Sequence, residues 1–406
     1  MPFFSPFFPK IQVFGVNMRL PVIITLMYFL LAIEYFILYP YKIKVPKYAI
    51  WFSIYIIFSI SNTLIQNSYQ DENWANLILY EYVFPLTFIV LIENIKYDEK
   101  DIKRLIKILS IVIIGGFFVS IIQFFINPFF YKSVNLSDVD KFYASQFVVG
   151  GYYRAYSLYS GMKAYDVVFA VIYLFNIFIF LYLLMKKRKY LILSILIFIS
   201  GILTLGRDIA VSMFVSILFY LYYKHKKTWL LNIGLPLLML LFVWTIYSDS
   251  IKETSIYQNR VVAITYQSRL FSPVMYFEHF FLDKPFFGYG ESSGSNTGFK
   301  KYYHVIHVLW FNMMFQNGIV GLIIYLIFLY HIYKRGRKIY AVTENPVFMI
   351  IVISYFIVNS TAPYDLINFY GSYFMFFYLA MNYKLYVKKE CSTKVFNRSP
   401  LYIKNN

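Results

Sequence analysis

The chain has 406 residues, is 60% hydrophobic with a mean hydropathy of +0.58, and is only 14% charged. A soluble domain carries about 45–50% apolar and about 25% charged residues, so a single water-bounded core is excluded and lipid must solvate part of the surface. The net charge of +18 would point to nucleic acid in a soluble protein, but here Lys and Arg cluster at the ends of apolar runs, the positive-inside pattern of cytoplasmic anchors, and no nucleic-acid role is expected.

Residues Met1 to Arg19 lack the charged, apolar and small-residue tripartition of a cleaved signal peptide, so none is expected. A span takes about 20 apolar residues. Windows that meet this pattern lie near 21–39, 46–66, 76–95, 108–130, 166–185, 190–205, 209–223, 229–247, 318–333, 347–359 and 367–384. The run over 190–223 is too long for one span and is broken by Gly206-Arg207-Asp208, so it reads as two helices with a tight turn. The expected fold is an all-α polytopic transmembrane helix bundle of about eleven spans, ten to twelve, with a small external helical and loop cap. Residues 1–390 form a single transmembrane domain, and 391–406 a polar cytoplasmic tail that holds the one cysteine, Cys391. One cysteine allows no intramolecular disulfide and no cysteine-based metal site.

Orientation follows from the basic loops. Lys96 to Lys107, Lys186 to Lys189, Lys224 to Lys227 and Lys334 to Lys338 are expected in the cytoplasm. They alternate with outer segments 67–75, 131–165, 206–208, 248–303 and 360–366. Lys42, Lys44 and Lys47 then put the N-terminus outside, against the preference of Lys10 and Arg19 for the inside; either residues 1–20 lie along the interface or the first helices are differently counted. Outer loops 131–165 and 248–303 are too long for connectors, since loops beyond about 12–15 residues are uncommon unless functional.

Chemistry concentrates in these loops. Arg154 stands among tyrosines in Gly150 to Tyr159, just before a span. A guanidinium grips phosphate with two-pronged donors and tyrosines stack on sugar rings; the alternative is an interfacial arginine in an aromatic belt. Arg207 lies at the outer ends of two helices, where a charge is costly and often functional; the alternative is an Arg207–Asp208 pair that caps the turn. Arg260 and Arg269 lie in the large loop. After Arg269 the apolar stretch 274–282, with Glu278 and His279, fits an amphipathic surface helix. Pro285-Phe286-Phe287-Gly288-Tyr289-Gly290 follows, and its Gly288 and Gly290 permit a tight turn or close backbone approach to a ligand. His304 and His307 share a helix face where the loop re-enters the membrane. They suit a general base or substrate contact; backbone-bonded interfacial histidines and a metal site completed by Glu278 or Asp283 are the other readings. A helix break at Asn317-Gly318, followed by a full span, resembles the broken helices that line membrane sites.

In order and spacing these motifs resemble the bacterial O-antigen polymerase and O-antigen ligase superfamily. The family's late signature is an Arg that opens a helix, a Pro-apolar-Phe-Gly-x-Gly turn, a His, and Gly-x-x-Gly eleven residues later. It matches Arg269, Pro285 to Gly290, His307 and Gly318-Ile319-Val320-Gly321. Arg154 and Arg207 are similar to two earlier family arginines, so the resemblance covers roughly residues 150–335. Val308 stands where the family usually has Asn, and Gly206 where it often has Ser.

The resemblance implies a membrane-embedded inverting glycosyltransferase of a bacterial inner membrane, with its site facing the periplasm or exterior. It uses a polyprenyl-diphosphate-linked oligosaccharide, no cofactor and no metal. It also implies roles: His307 and Arg269 catalytic, with Arg154, Arg207, Arg260, His304, Gly288 and Gly290 holding diphosphate and saccharide. Partners would be membrane lipid, a chain-length regulator and a flippase. Polymerase is favoured over a ligase that transfers the glycan to lipid A core. A flippase is the reading of another class, but it predicts mid-span ionisable residues and related halves; Glu34 and Glu93 lie near span ends and only Glu81 lies well inside an early span.

Overall fold

The computed structural model describes residues 10–13, 16–39, 43–66, 78–126, 148–149, 152–153, 155, 164–204, 207–225, 232, 234, 236, 276–290, 309–359 and 370–388. Among these residues the architecture is helical. The helices are α1 (Leu20–Leu38), α2 (Lys47–Ile65), α3 (Phe84–Asn94, entered through a π-helical turn, Ile78–Val83) and α4 (Glu99–Phe125). Then come α5 (Ala164–Met185), α6 (Arg188–Leu203), α7 (Arg207–His225), α8 (Leu309–Thr343), α9 (Val347–Asn359) and α10 (Tyr370–Asn382, continued by π-helical Tyr383–Lys388). Of these, α2, α4 and α8 are long and apolar enough to cross a membrane.

Two small antiparallel hairpins depart from the all-α expectation. β1 (Lys10–Val13) pairs with β2 (Val16–Arg19), with Lys10 opposite Arg19, immediately before α1. β3 (Val148–Val149) pairs with β4 (Tyr152–Tyr153) inside the first long loop, beside α4. Both are two-stranded and short, and strand pairing at this scale needs only local turns.

Most expected windows coincide with helices. Two windows shift: 318–333 lies inside the longer α8, which runs from Leu309 to Thr343 and takes in the basic stretch Lys334 to Lys338 expected as a loop, and 108–130 shifts because α4 begins nine residues earlier, at Glu99. For α4 the reason is local: Asp98 accepts from the Asp101 N–H at 2.9 Å while Asp101 accepts from the Asp98 N–H at 2.9 Å, a reciprocal capping box that starts the helix in its polar segment. The basic stretch expected as a loop is therefore the first turns of a helix that runs out of the apolar layer. The window 229–247 lies outside the described residues apart from helical positions 232, 234 and 236.

The core is built around α5, which contacts α6, α7, α9 and α10. From Ala170 to Phe178 every α5 residue is buried, as expected for a helix that is apolar on all sides. Helix α2 runs along α8, with buried Tyr48, Phe52, Tyr55, Ser59 and Asn62 on one face and exposed Ile50, Ile54, Ile57 and Leu64 on the other. Apolar residues turned outward in this way fit a helix solvated by lipid.

The helices sort into two ends. At one end the Lys44 N–H donates to Asn94 Oδ1 (2.8 Å), Asn94 Nδ2 donates to the Lys44 carbonyl (3.2 Å), and Lys384 Nζ donates to the Ile95 carbonyl (2.5 Å). The same end holds a buried ion pair, Arg335 to Glu93 at 2.5 Å, in which the Tyr48 hydroxyl also donates to Glu93 at 3.1 Å. The guanidinium lies over the rings of Tyr383 (4.0 Å) and Tyr48 (5.3 Å). Residues 62–66 at the C-terminal end of α2 and its cap, the turn 284–290 and residues 315–318 of α8 gather at the other end. Grouping Lys44 and Lys47 with Lys96 and Lys334 to Lys338 agrees with the alternation of basic loops read from the sequence.

Candidate functional site

The site is built on a break in α8. Gly318 has φ 63° and ψ −171°, a conformation open essentially to glycine alone. A continuous helix would bond the Ile319 N–H to the Phe315 carbonyl and the Val320 N–H to the Gln316 carbonyl. At Gly318 these two bonds are opened, and the turn 284–290 fills the gap. The Tyr289 and Gly290 N–H groups donate to the Phe315 and Gln316 carbonyls at 2.9 and 2.8 Å. The Ile319 and Val320 N–H groups donate to the Pro285 and Phe286 carbonyls at 2.9 and 3.2 Å. All four backbone groups released by the break find partners in one segment, which removes the penalty of leaving them bare inside the protein.

The interlock explains why glycines stand on both sides. A Cβ on Gly318 would lie 2.1 Å from the Phe286 carbonyl oxygen, and one on Gly288 (φ 66°) would lie 2.5 Å from that of Phe315. Both neighbours are backbone, which cannot rotate away. The Gly288 N–H closes the turn onto the Lys284 carbonyl at 3.0 Å.

Helix α2 clamps the assembly. Asn62 Nδ2 donates to the Phe287 carbonyl (2.6 Å) and the Gln316 carbonyl (3.1 Å). Ser59 donates to Asn317 Oδ1 at 3.1 Å, and Asn317 Nδ2 reaches the Tyr55 hydroxyl at 3.4 Å. Outside this buried layer Lys284 Nζ donates to Gln66 Oε1 at 2.5 Å and sits 5.0 Å from the Tyr289 ring. A one-turn π-helix, Phe277–Phe281, packs Tyr276 and Phe280 against Phe315, and Tyr289 stacks on Phe315 at 5.1 Å. Burial, and then the Asp283 carboxylate, push the Tyr289 phenol above its ordinary pKa, and its hydroxyl donates to the Phe280 carbonyl at 3.0 Å.

Gly288 and Gly290 are therefore buried in the interlock, and the amphipathic stretch expected over 274–282 is helical from Tyr276 to Phe281. Arg207 is the first residue of α7, at the turn expected between two helices. Arg154, Arg260, Arg269, His304 and His307 lie outside the described residues. Their chain neighbours are informative. Ala155, next to Arg154, donates its N–H to the Leu203 carbonyl at 3.1 Å and so satisfies an end group of α6, four residues before Arg207. Leu309, two residues after His307, opens the half-helix that ends at the break.

Sequence reasoning passed over Asn62 and Ser59. A signal was present: Ser59, Asn62 and Thr63 put three polar side chains at helical spacing near the end of a mainly apolar span. No protein-family model matches the chain, and no curated protein matches it significantly.

Proposed function

We propose that the protein is a membrane glycan polymerase of the O-antigen polymerase and ligase type, with about eleven spans in a bacterial inner membrane and its site at the outer face. The observation that carries this reading is the interlock itself. Two motifs of the resemblance, Pro285 to Gly290 and Gly318 to Gly321, are far apart in sequence, yet two backbone hydrogen bonds join them, from Ile319 to Pro285 and from Val320 to Phe286, and two more tie the turn to Phe315 and Gln316 just before the second motif. The outward orientation rests on the basic residues of the opposite end.

The donor is a polyprenyl-diphosphate-linked oligosaccharide. An acceptor sugar hydroxyl attacks the anomeric carbon from the face opposite the diphosphate. The new glycosidic C–O bond forms, the bond to diphosphate breaks, and polyprenyl diphosphate leaves with its electron pair. The hydroxyl proton passes to His307 as general base. Arg154, Arg207 and Arg269 stabilise the charge that grows on the leaving diphosphate, while Arg260 and His304 contact the saccharide. No cofactor is required by this route.

The test is a gel of the host's surface polysaccharide with the gene deleted and then restored as wild type, Arg269→Ala or His307→Ala, after membrane insertion is verified. A ladder collapsed to one repeat unit, restored by wild type and by neither variant, is expected. Long chains left on the carrier would instead mean a ligase, and repeat units trapped inside a flippase. Full activity of both variants would overturn the residue assignment.

A further inference from the structure

We infer that Asn62 is a positioning residue: its amide ties α2 to both halves of the interlock and so fixes the outer loop against the N-terminal half of α8. The inference rests on the glycan-transfer reading for its functional consequence, but its geometry is independent of that reading. Asn62 is 4% exposed, in a span whose other buried face is mostly aromatic and aliphatic. A buried amide in such a setting is costly unless its hydrogens are used. Here one amide nitrogen reaches the Phe287 carbonyl from the turn and the Gln316 carbonyl from α8. The Gln316 carbonyl also accepts from the Gly290 N–H, so Asn62 sits where the turn and the opened helix meet. The neighbouring Ser59–Asn317 bond adds a second link between α2 and α8 one turn earlier on α2.

The consequence is mechanical. Residues 284–290 follow Arg269 within the outer loop expected over 248–303, and Leu309–Asn317 begins two residues after His307. Two chain segments, one after Arg269 and one after His307, are thus held at one register by a third element. Effective reaction requires reacting groups at near-attack distances, and small misplacements cost rate far more than binding. Asn62 contacts no reacting atom in this scheme and acts only through the segments it holds.

The experiment compares wild type, Asn62→Leu and Asn62→Gln in full-length protein purified in detergent. Hydrogen exchange at the Tyr289 and Gly290 amides is read beside transfer kinetics, normalised to folded protein. Asn62→Leu keeps the volume and removes the donor. Loss of two bonds predicts exchange faster by roughly tenfold to a hundredfold at these amides. It also predicts kcat lower by roughly tenfold or more with KM changed by less than about twofold. Asn62→Gln, which keeps the amide, is expected to lose less on both readouts, and it carries the test if the Leu variant does not fold. Unchanged exchange in the variants would overturn the lock, and faster exchange with unchanged kcat would overturn the positioning role. Faster exchange in the variants of a wild-type protein that transfers no glycan would support the lock and sink the glycan-transfer reading instead.

Discussion

Replacing Gly318 by Ala should open the interlock, and the cost can be worked from its geometry. The new Cβ would meet the Phe286 carbonyl oxygen and carbon at 2.1 and 2.2 Å and the Phe287 nitrogen at 2.4 Å, all backbone atoms of a turn pinned by its own hydrogen bonds. Relief requires the turn to move off α8, which breaks the bonds from Ile319 to Pro285 and from Val320 to Phe286. Two hydrogen bonds are worth about 1 kcal/mol each, and a glycine-only conformation forced on alanine adds roughly 1–3 kcal/mol. The expected local destabilisation is about 3–5 kcal/mol. Gly115→Ala, in the middle of α4, is the control, since Gly to Ala inside a helix gains up to about 1 kcal/mol. Thermal unfolding of the purified proteins in detergent, followed by tryptophan fluorescence, is the assay. Gly288→Ala adds a second arm because its Cβ would strike the Phe315 carbonyl oxygen at 2.5 Å from the opposite side. Both substitutions part the same two segments, so the double variant should be less destabilised than the sum by at least about 1 kcal/mol. A Gly318→Ala protein as stable as wild type, or strictly additive costs, would refute the interlock.

Two further outcomes are expected. Removing one member of the buried pair, as Glu93→Met or Arg335→Met, strands the other charge and should destabilise by about 3–5 kcal/mol. The double variant should unfold at a higher temperature than either single one, and a double variant no better than the worse single would count against a buried pair. In a Cys391→Ser background, an impermeant maleimide on intact cells should label Asp283→Cys at once and Asp98→Cys only after permeabilisation; equal labelling of both would reject the assignment of the two ends.

Much of the helical framework is legible in order along the chain. A helix satisfies its hydrogen bonds between residues four apart and faces lipid with side chains at fixed spacing, so both signals are carried by consecutive residues. That is why α2, α5, α6 and α9 fall close to their apolar windows, and why the break at Asn317-Gly318 is visible as a local glycine signal. The start of α4 was missed because apolar content was weighed and the Asp98–Asp101 capping box was not.

What fills the break could not be read this way. The partner of the Gly318 kink is a turn near Gly288, and the bonds between them are backbone to backbone, so side-chain identity marks them only through the two glycines that permit close approach. The use of Asn62 and the pairing of Glu93 with Arg335 likewise depend on which helices lie side by side. The sequence by itself determined the apolar, membrane-type composition and much of the helical framework, because those follow from local composition and spacing. Only the tertiary structure decided that two glycine motifs form one object and that an asparagine from α2 holds it, because a buried polar group takes its meaning from the partner the fold brings to it.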